Sequence, residues 1–173
     1  AHQILNAGAT RAGLRHLGIA YRGLEAAVTS ARWPARMQRL RSGPLIEAAG
    51  QAELWLDGGH NPAAGQALGG YLSTLPGRPT RLVCGMMNTK DVAGYMTPLA
   101  AHAATLTAVS IPGEVNTLPA EDTARIAKDC GMAVSTAENA EAAVAAIVAE
   151  EPEARILICG SLYLAGAILR ENA

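Results

Sequence analysis

Phenylalanine is absent from this sequence, and aromatic residues make up only 3% of its 173 positions. Half of the residues are nonetheless hydrophobic, and much of that share is alanine. A core without large aromatics has to come from small helix faces laid on a Val/Leu/Ile sheet. Excess positive charge is also missing: 14 Lys and Arg stand against 15 Asp and Glu, a net charge of −1. That excludes a nucleic-acid binder, which needs a basic footprint. The three cysteines contain no C-x-x-C pair and are odd in number. Cys84 and Cys159 lie within apolar runs, where a free thiol acts as a small hydrophobe, so a reducing cytoplasm is expected. His2, His16, His60 and His102 lack metal-ligand spacing. With no signal peptide and no apolar run of about 18 residues, no membrane is expected. A chain of this length buries roughly 70% of its unfolded surface and needs no covalent staples.

Several nucleotide and hydrolase motifs are absent too. No G-x-x-x-x-G-K-[ST] phosphate loop occurs, and no G-x-G-x-x-G follows a strand. Asn88-Thr89-Lys90-Asp91 has the wrong order for a guanine-specificity motif. No G-x-S-x-G elbow exists, so Ser161 reads as a donor at a helix start rather than a nucleophile. The sequence opens at Ala1 without a methionine, directly in helix-like residues, and is expected to be a piece of a longer protein.

What is present is alternation. An N-terminal helix with an Ile4, Leu5, Ala9, Ala12 and Leu17 face ends at Gly18, and a second runs from Tyr21 to Thr29. Arg32, Arg36, Arg39 and Arg41 surround Trp33-Pro34, where the residue before proline disfavours helix; this reads as a linker, its cations either a ligand surface or a solvated face. Leu45-Ile46-Glu47 and Leu54-Trp55-Leu56, on either side of Gly50, are predicted to pair as a loose hairpin. Helices are predicted over Pro62–Leu75, Asp91–Ala101, Pro119–Cys130, Asn139–Glu150 and Leu162–Arg170. The strands between them are Arg81–Gly85, Thr105–Ile111, Ala133–Ser135 and Arg155–Cys159. Strands alternating with helices of about 10–15 residues imply βαβ crossovers. The predicted fold is α/β: a Rossmann-like, mostly parallel sheet of about six strands flanked by helices, with an N-terminal helical remnant. The expected divisions are a remnant over 1–30, a linker over 31–42 and the main domain over 43–173.

Four strand-to-helix junctions carry unusual residues: Asp57-Gly58-Gly59-His60-Asn61-Pro62, Gly85 to Asp91, Ile111-Pro112-Gly113-Glu114 and Cys159-Gly160-Ser161. A parallel sheet puts all four on its carboxyl edge, where ligands of open α/β folds bind. Free N–H groups at helix starts favour anions there. Asp57 is either an acceptor for two ribose hydroxyls or a turn aspartate. His60 is a candidate phosphate or carboxylate contact or a structural turn histidine. Arg36 is a candidate phosphate fork.

Together these residues resemble the C-terminal part of the folylpolyglutamate synthase/dihydrofolate synthase family, within the Mur ligase superfamily, over nearly the whole chain. His2-Gln3-Ile4-Leu5-Asn6-Ala7 is similar to the family's H-Q-x-x-N-A, and Trp33-Pro34-Ala35-Arg36-Met37-Gln38 to its W-P-G-R linker. Leu56 to Pro62 is similar to L-D-G-A-H-N-P, Lys90-Asp91 to its K-D segment, and Gly160-Ser161-Leu162-Tyr163 to its G-S-L-Y. The resemblance implies an ATP-dependent ligase that adds L-glutamate to dihydropteroate or a folate through an acyl phosphate. It implies that Asn6, Arg36 and Asp57 bind ATP at its adenine, phosphates and ribose. His60, the catalytic candidate, and Ser161 would meet glutamate and the reacting centre. It further implies a monomeric cytoplasmic parent using ATP with Mg²⁺, whose metal ligands belong to an N-terminal ATPase domain, so that this chain alone is inactive. The alternatives are another Mur-type amino-acid ligase or a non-catalytic nucleotide- or amino-acid-binding module. Two departures stand out. Ala35 replaces a glycine, which matters if that position needs positive φ. The spacing from Arg36 to Asp57 is long, as an inserted hairpin would make it.

Overall fold

The computed structural model describes residues 2–19, 23–75 and 77–172. The chain divides into two compact units, Ala1–Pro34 and Ala35–Ala173. The first holds α1 (His2–His16) and α2 (Leu24–Ser30). Gly18 takes a φ of 66° after α1, as expected of a C-terminal glycine, and Ile4 and Leu17 on α1's predicted apolar face are exposed. The second predicted helix begins later than expected, and Tyr21 and Arg22 lie outside the described residues. It ends at Ser30, ahead of Trp33-Pro34.

The second unit contains β1 (Gln38–Arg39), α3 (Pro44–Ala49), β2 (Glu53–Leu56), α4 (Pro62–Leu72), β3 (Thr80–Cys84), α5 (Val92–Ala100), β4 (Ala103–Ala108), α6 (Ala120–Asp129), β5 (Val134–Thr136), α7 (Ala140–Glu150), β6 (Arg155–Cys159) and α8 (Leu162–Glu171). The strands form one six-stranded sheet in the order β1-β2-β6-β3-β4-β5. All pairs are parallel except β1 with β2. This is the predicted α/β architecture.

The period-two alternation of strands divides the core. Leu54, Leu56, Val83, Ile156 and Ile158 face α3, α7 and α8. Leu82, Cys84, Leu106, Leu157 and Cys159 face α4, α5 and α6. Strand β6, wholly buried, lies between β2 and β3, which explains its unbroken apolar run. Helix starts follow local chemistry: Asn61, Asp91, Asn139 and Ser161 each accept a hydrogen bond from a first-turn N–H.

The predicted hairpin is wrong. Residues 44–49 form helix α3, and the antiparallel partner of β2 is β1, with Gln38 opposite Leu56 and Arg39 opposite Trp55. Pro44 supplies the pre-set φ of a first helical position. The Asn172 side chain at the far end of the unit accepts a hydrogen bond from Leu45 N–H at 2.9 Å. The long spacing before Asp57 therefore holds a short edge strand and a helix.

At the amino edge of the sheet, Glu53 meets Arg155 at 3.5 Å and Arg39 at 3.6 Å. Its carboxylate also accepts a hydrogen bond from the Trp55 indole. Burial alone would raise the Glu53 carboxyl, but the Trp55 N–H, Arg39 and Arg155 outweigh it and hold the group below its usual 4.5. A lowered folded-state value means stability that is present above pH 4.5 and lost as pH falls through the lowered value. Glu53→Gln is therefore expected to flatten the acid limb of stability in a pH series of urea midpoints. An identical acid limb in the variant would exclude this cluster as its source.

Candidate functional site

The four junctions lie on one carboxyl edge. Strands β2 and β3 lead into α4 and α5 on one face, whereas β6, between them, leads into α8 on the other. Neighbouring connections that leave toward opposite faces open a crevice, the topological switch point at which α/β sheets bind ligands. The turn after β2 and the start of α8 form its walls.

Asp57 is buried and both of its carboxylate oxygens are engaged: Oδ1 accepts from Gly59 N–H at 2.7 Å, and Oδ2 from Met37 N–H at 2.9 Å. Gly58 N–H donates to Ala35 O at 2.8 Å, so the 35–37 segment is tied to the turn twice. Asp57 thus has the structural role weighed for it, and each oxygen keeps a lone pair for a further donor. A Cβ on Gly59 would come within 2.8 Å of Asp57 Oδ1.

His60 is half-buried, with Nδ1 at 2.9 Å from Gly58 O. A carbonyl only accepts, so Nδ1 donates to it, and Nε2 is the ring nitrogen this contact leaves free. Ser161 is buried and its Oγ accepts from Tyr163 N–H at 3.0 Å. Its own hydroxyl proton stays available as a donor, the role expected for it. Arg36 is exposed. Ala35 before it has a φ of 54° and Met37 after it 43°, so Ala35 does occupy the positive-φ region in which the family's glycine would be unstrained. Asn6 lies exposed on α1 in the first unit. Asp57, His60, Ser161 and Arg36 all belong to the second unit.

Two features escaped sequence reading. The loops after β3 and β4 join above the edge: Leu118 N–H donates to Met86 O at 2.8 Å and Asn88 N–H to Asn116 O at 3.0 Å. Lys90, the other matched cation, stands exposed at the end of that ribbon. Tyr95, fully buried on α5, is the second: its Cε2 lies 3.8 Å from a Cβ built on Gly59. Its hydroxyl has no hydrogen bond of acceptable geometry among the described residues. Burial first, then the Cys159 and Cys84 thiols and Asp57, push the Tyr95 phenol well up. The Cys84 thiol is also raised, first by its contact with Cys159 and then by burial. The Tyr95 phenol and the Cys84 thiol are therefore neutral packing under the turn. Nothing in the composition marked Tyr95, because the groups around it come from β3, β6 and the turn after β2, far apart in the sequence.

Among the described residues, no three His, Cys, Asp or Glu side chains gather to hold a metal ion. No helix is long and apolar enough to cross a membrane.

The family model described as dihydrofolate synthetase, C-terminal domain, matches residues 46–171. The chain belongs to this family. The matched span starts in α3 and ends in α8, and so holds Asp57, His60 and Ser161 but neither Arg36 nor Asn6. The dihydrofolate synthetase C-terminal domain is thereby placed in the Mur ligase superfamily, as the motifs implied. Folylpolyglutamate synthase of Lacticaseibacillus casei is 29% identical over 141 residues, 82% of this chain and 30% of that protein. Mycobacterium tuberculosis folylpolyglutamate synthase complexed with ADP superposes with a TM-score of 0.73 at 26% identity, covering 91% of this chain and 36% of that one. E. coli FolC in complex with DHPP and ADP gives 0.74 at 24% identity, covering 95% and 38%, and shows likeness of fold. The synthetase domain thus spans about a third of these relatives' length.

Proposed function

We propose that this chain is the glutamate-ligase domain of an ATP-dependent enzyme that joins L-glutamate to dihydropteroate or a folate. The observation that supports this is that the 35–37 segment is hydrogen-bonded to the turn after β2, which lies against Leu162 at the start of α8, at the switch point of a domain of this family. The relatives' names, folylpolyglutamate synthase, and the ADP in the mycobacterial complex support the choice of substrates. ATP, when bound, supplies the phosphoryl group that activates the acceptor carboxylate. The residues here bind and orient. Arg36 offers a planar fork to phosphate. Asp57 offers its remaining lone pairs to ribose hydroxyls. His60 and Ser161 hold the incoming glutamate, with His60 Nε2 accepting a proton from its ammonium group. Donors fixed before the reaction need no reorganisation as charge develops.

With no phosphate loop in its sequence, the chain is expected to bind substrates without turning ATP over. We infer that phosphate loop, metal ligands and acceptor pocket come from an ATPase domain of the same enzyme. Calorimetric titration tests the binding: Arg36→Ala should weaken ATP binding by about 1.5–3 kcal/mol, the scale of a charge-assisted contact. His60→Ala should weaken L-glutamate and leave ATP nearly unchanged. Equal ATP affinity in wild type and Arg36→Ala would remove Arg36 from the site, and ADP release by the chain alone would contradict its inactivity.

A further inference from the structure

We propose that Asp57 is a positioning residue for Arg36, acting as a clasp on the loop that presents it. Among the described residues, Ala35 and Met37 are the only non-glycine positions with positive φ, at 54° and 43°, and they flank Arg36. Residues with a Cβ are disfavoured there and persist only where the surroundings over-determine them. The surroundings do so here. The Ala35 methyl is buried at 3% exposure, and Met37 packs against the core. Gln38 Oε1 accepts from Ala35 N–H at 2.9 Å, and Ala35 O accepts from Gly58 N–H at 2.8 Å. The ionised partner is Asp57, whose Oδ2 takes Met37 N–H at 2.9 Å while Oδ1 holds Gly59 N–H at 2.7 Å.

One carboxylate therefore fixes the turn that bears His60 and the loop that bears Arg36. Two strained residues around an exposed arginine do nothing for the core that a relaxed loop with glycine would not do. They do fix where the Arg36 Cβ points. Loss of the Met37 bond lets the loop relax toward negative φ and leaves the direction of the Arg36 Cα–Cβ bond unfixed. Only the ligand in this inference rests on the nucleotide reading above; the clasp does not.

The test is a double-mutant cycle on the chain with ATP as probe: wild type, Asp57→Asn, Arg36→Ala and both together. Asparagine keeps the side-chain volume but only one acceptor oxygen, so the Met37 and Gly59 N–H groups can no longer both be held. Each single change should weaken ATP by about tenfold or more, and the double should lose less than the product of the two single losses, because Asp57→Asn already removes part of what Arg36 contributes. A double loss equal to the product of the two single losses would mean that Asp57 acts on the ligand only through its own contact, and would overturn the positioning role. The second arm needs no ligand. Three-bond HN–Hα couplings of Ala35 and Met37 should move toward averaged values in Asp57→Asn, with amide exchange at Met37 at least about tenfold faster. Unchanged couplings and exchange would overturn the clasp. If wild type fails to bind ATP, the nucleotide reading falls and this arm alone decides.

Discussion

Replacing Gly65 by valine is expected to cost about 3 kcal/mol of stability, whereas Gly70→Ala in the same helix should add about 0.5–1 kcal/mol. Helix propensity favours both changes, so contact decides the sign. A Cβ built on Gly65 would fall far inside van der Waals distance of the Tyr95 carbonyl oxygen, and 3.0 Å from its carbonyl carbon. Those are backbone atoms of α5 and cannot rotate away. The two helices pack closely because α4 carries glycine at this point and at Gly69, which faces the Pro98 carbonyl in the same way. The extra methyls of valine force α4 and α5 apart along their length. At exposed Gly70 a Cβ meets nothing within 4 Å and φ is not positive. Alanine there only restricts the unfolded chain. Urea unfolding of the three proteins checks both signs; a Gly65→Val midpoint equal to that of wild type would refute the close-approach reading.

Tyr95→Ala is expected to cost about 3–5 kcal/mol, the range for truncating a buried ring, while Tyr95→Phe should leave stability equal or raise it by about 1 kcal/mol. The ring is fully buried among α4, α5 and the ends of β3 and β6, below the Asp57 turn. Its removal leaves a cavity in a core that, among the described residues, has no other large aromatic at such depth. The hydroxyl contributes nothing comparable, because no hydrogen bond of good geometry compensates its burial. Thermal unfolding of both variants separates ring from hydroxyl. A Tyr95→Phe loss of more than about 1 kcal/mol would show a real partner for the phenol, with Cys159 the group to examine.

The elements that could be read from the sequence were those whose cause is local. Asn61, Asp91, Asn139 and Ser161 sit one residue before a helix and cap it; the signal and the structure are the same few atoms. The apolar run Ile156-Leu157-Ile158 announced a strand covered on both faces, and β6 is in the middle of the sheet. The expectation failed at Leu45-Ile46-Glu47. A short apolar run carries no usable period, and what settles it as α3 includes the hydrogen bond between Leu45 N–H and Asn172 near the end of the chain.

The candidate site shows the same division. The motif from Asp57 to Pro62 could be recognised from its own residues, as could the buried strand before it and the helix start after it. Its place at a switch point could not, because β6, which makes the crevice by inserting between β2 and β3, is the last strand in the sequence. By itself the sequence determined the alternating α/β pattern, the helix starts and the family, since each rests on near-neighbour chemistry or on motif order. Only the tertiary structure decided strand order, the packing of Tyr95 beneath Gly59 and the engagement of Asp57 by Met37. Hydrogen bonds and contacts between distant segments form only when the sheet assembles, and no local pattern of residue types encodes which segments will meet.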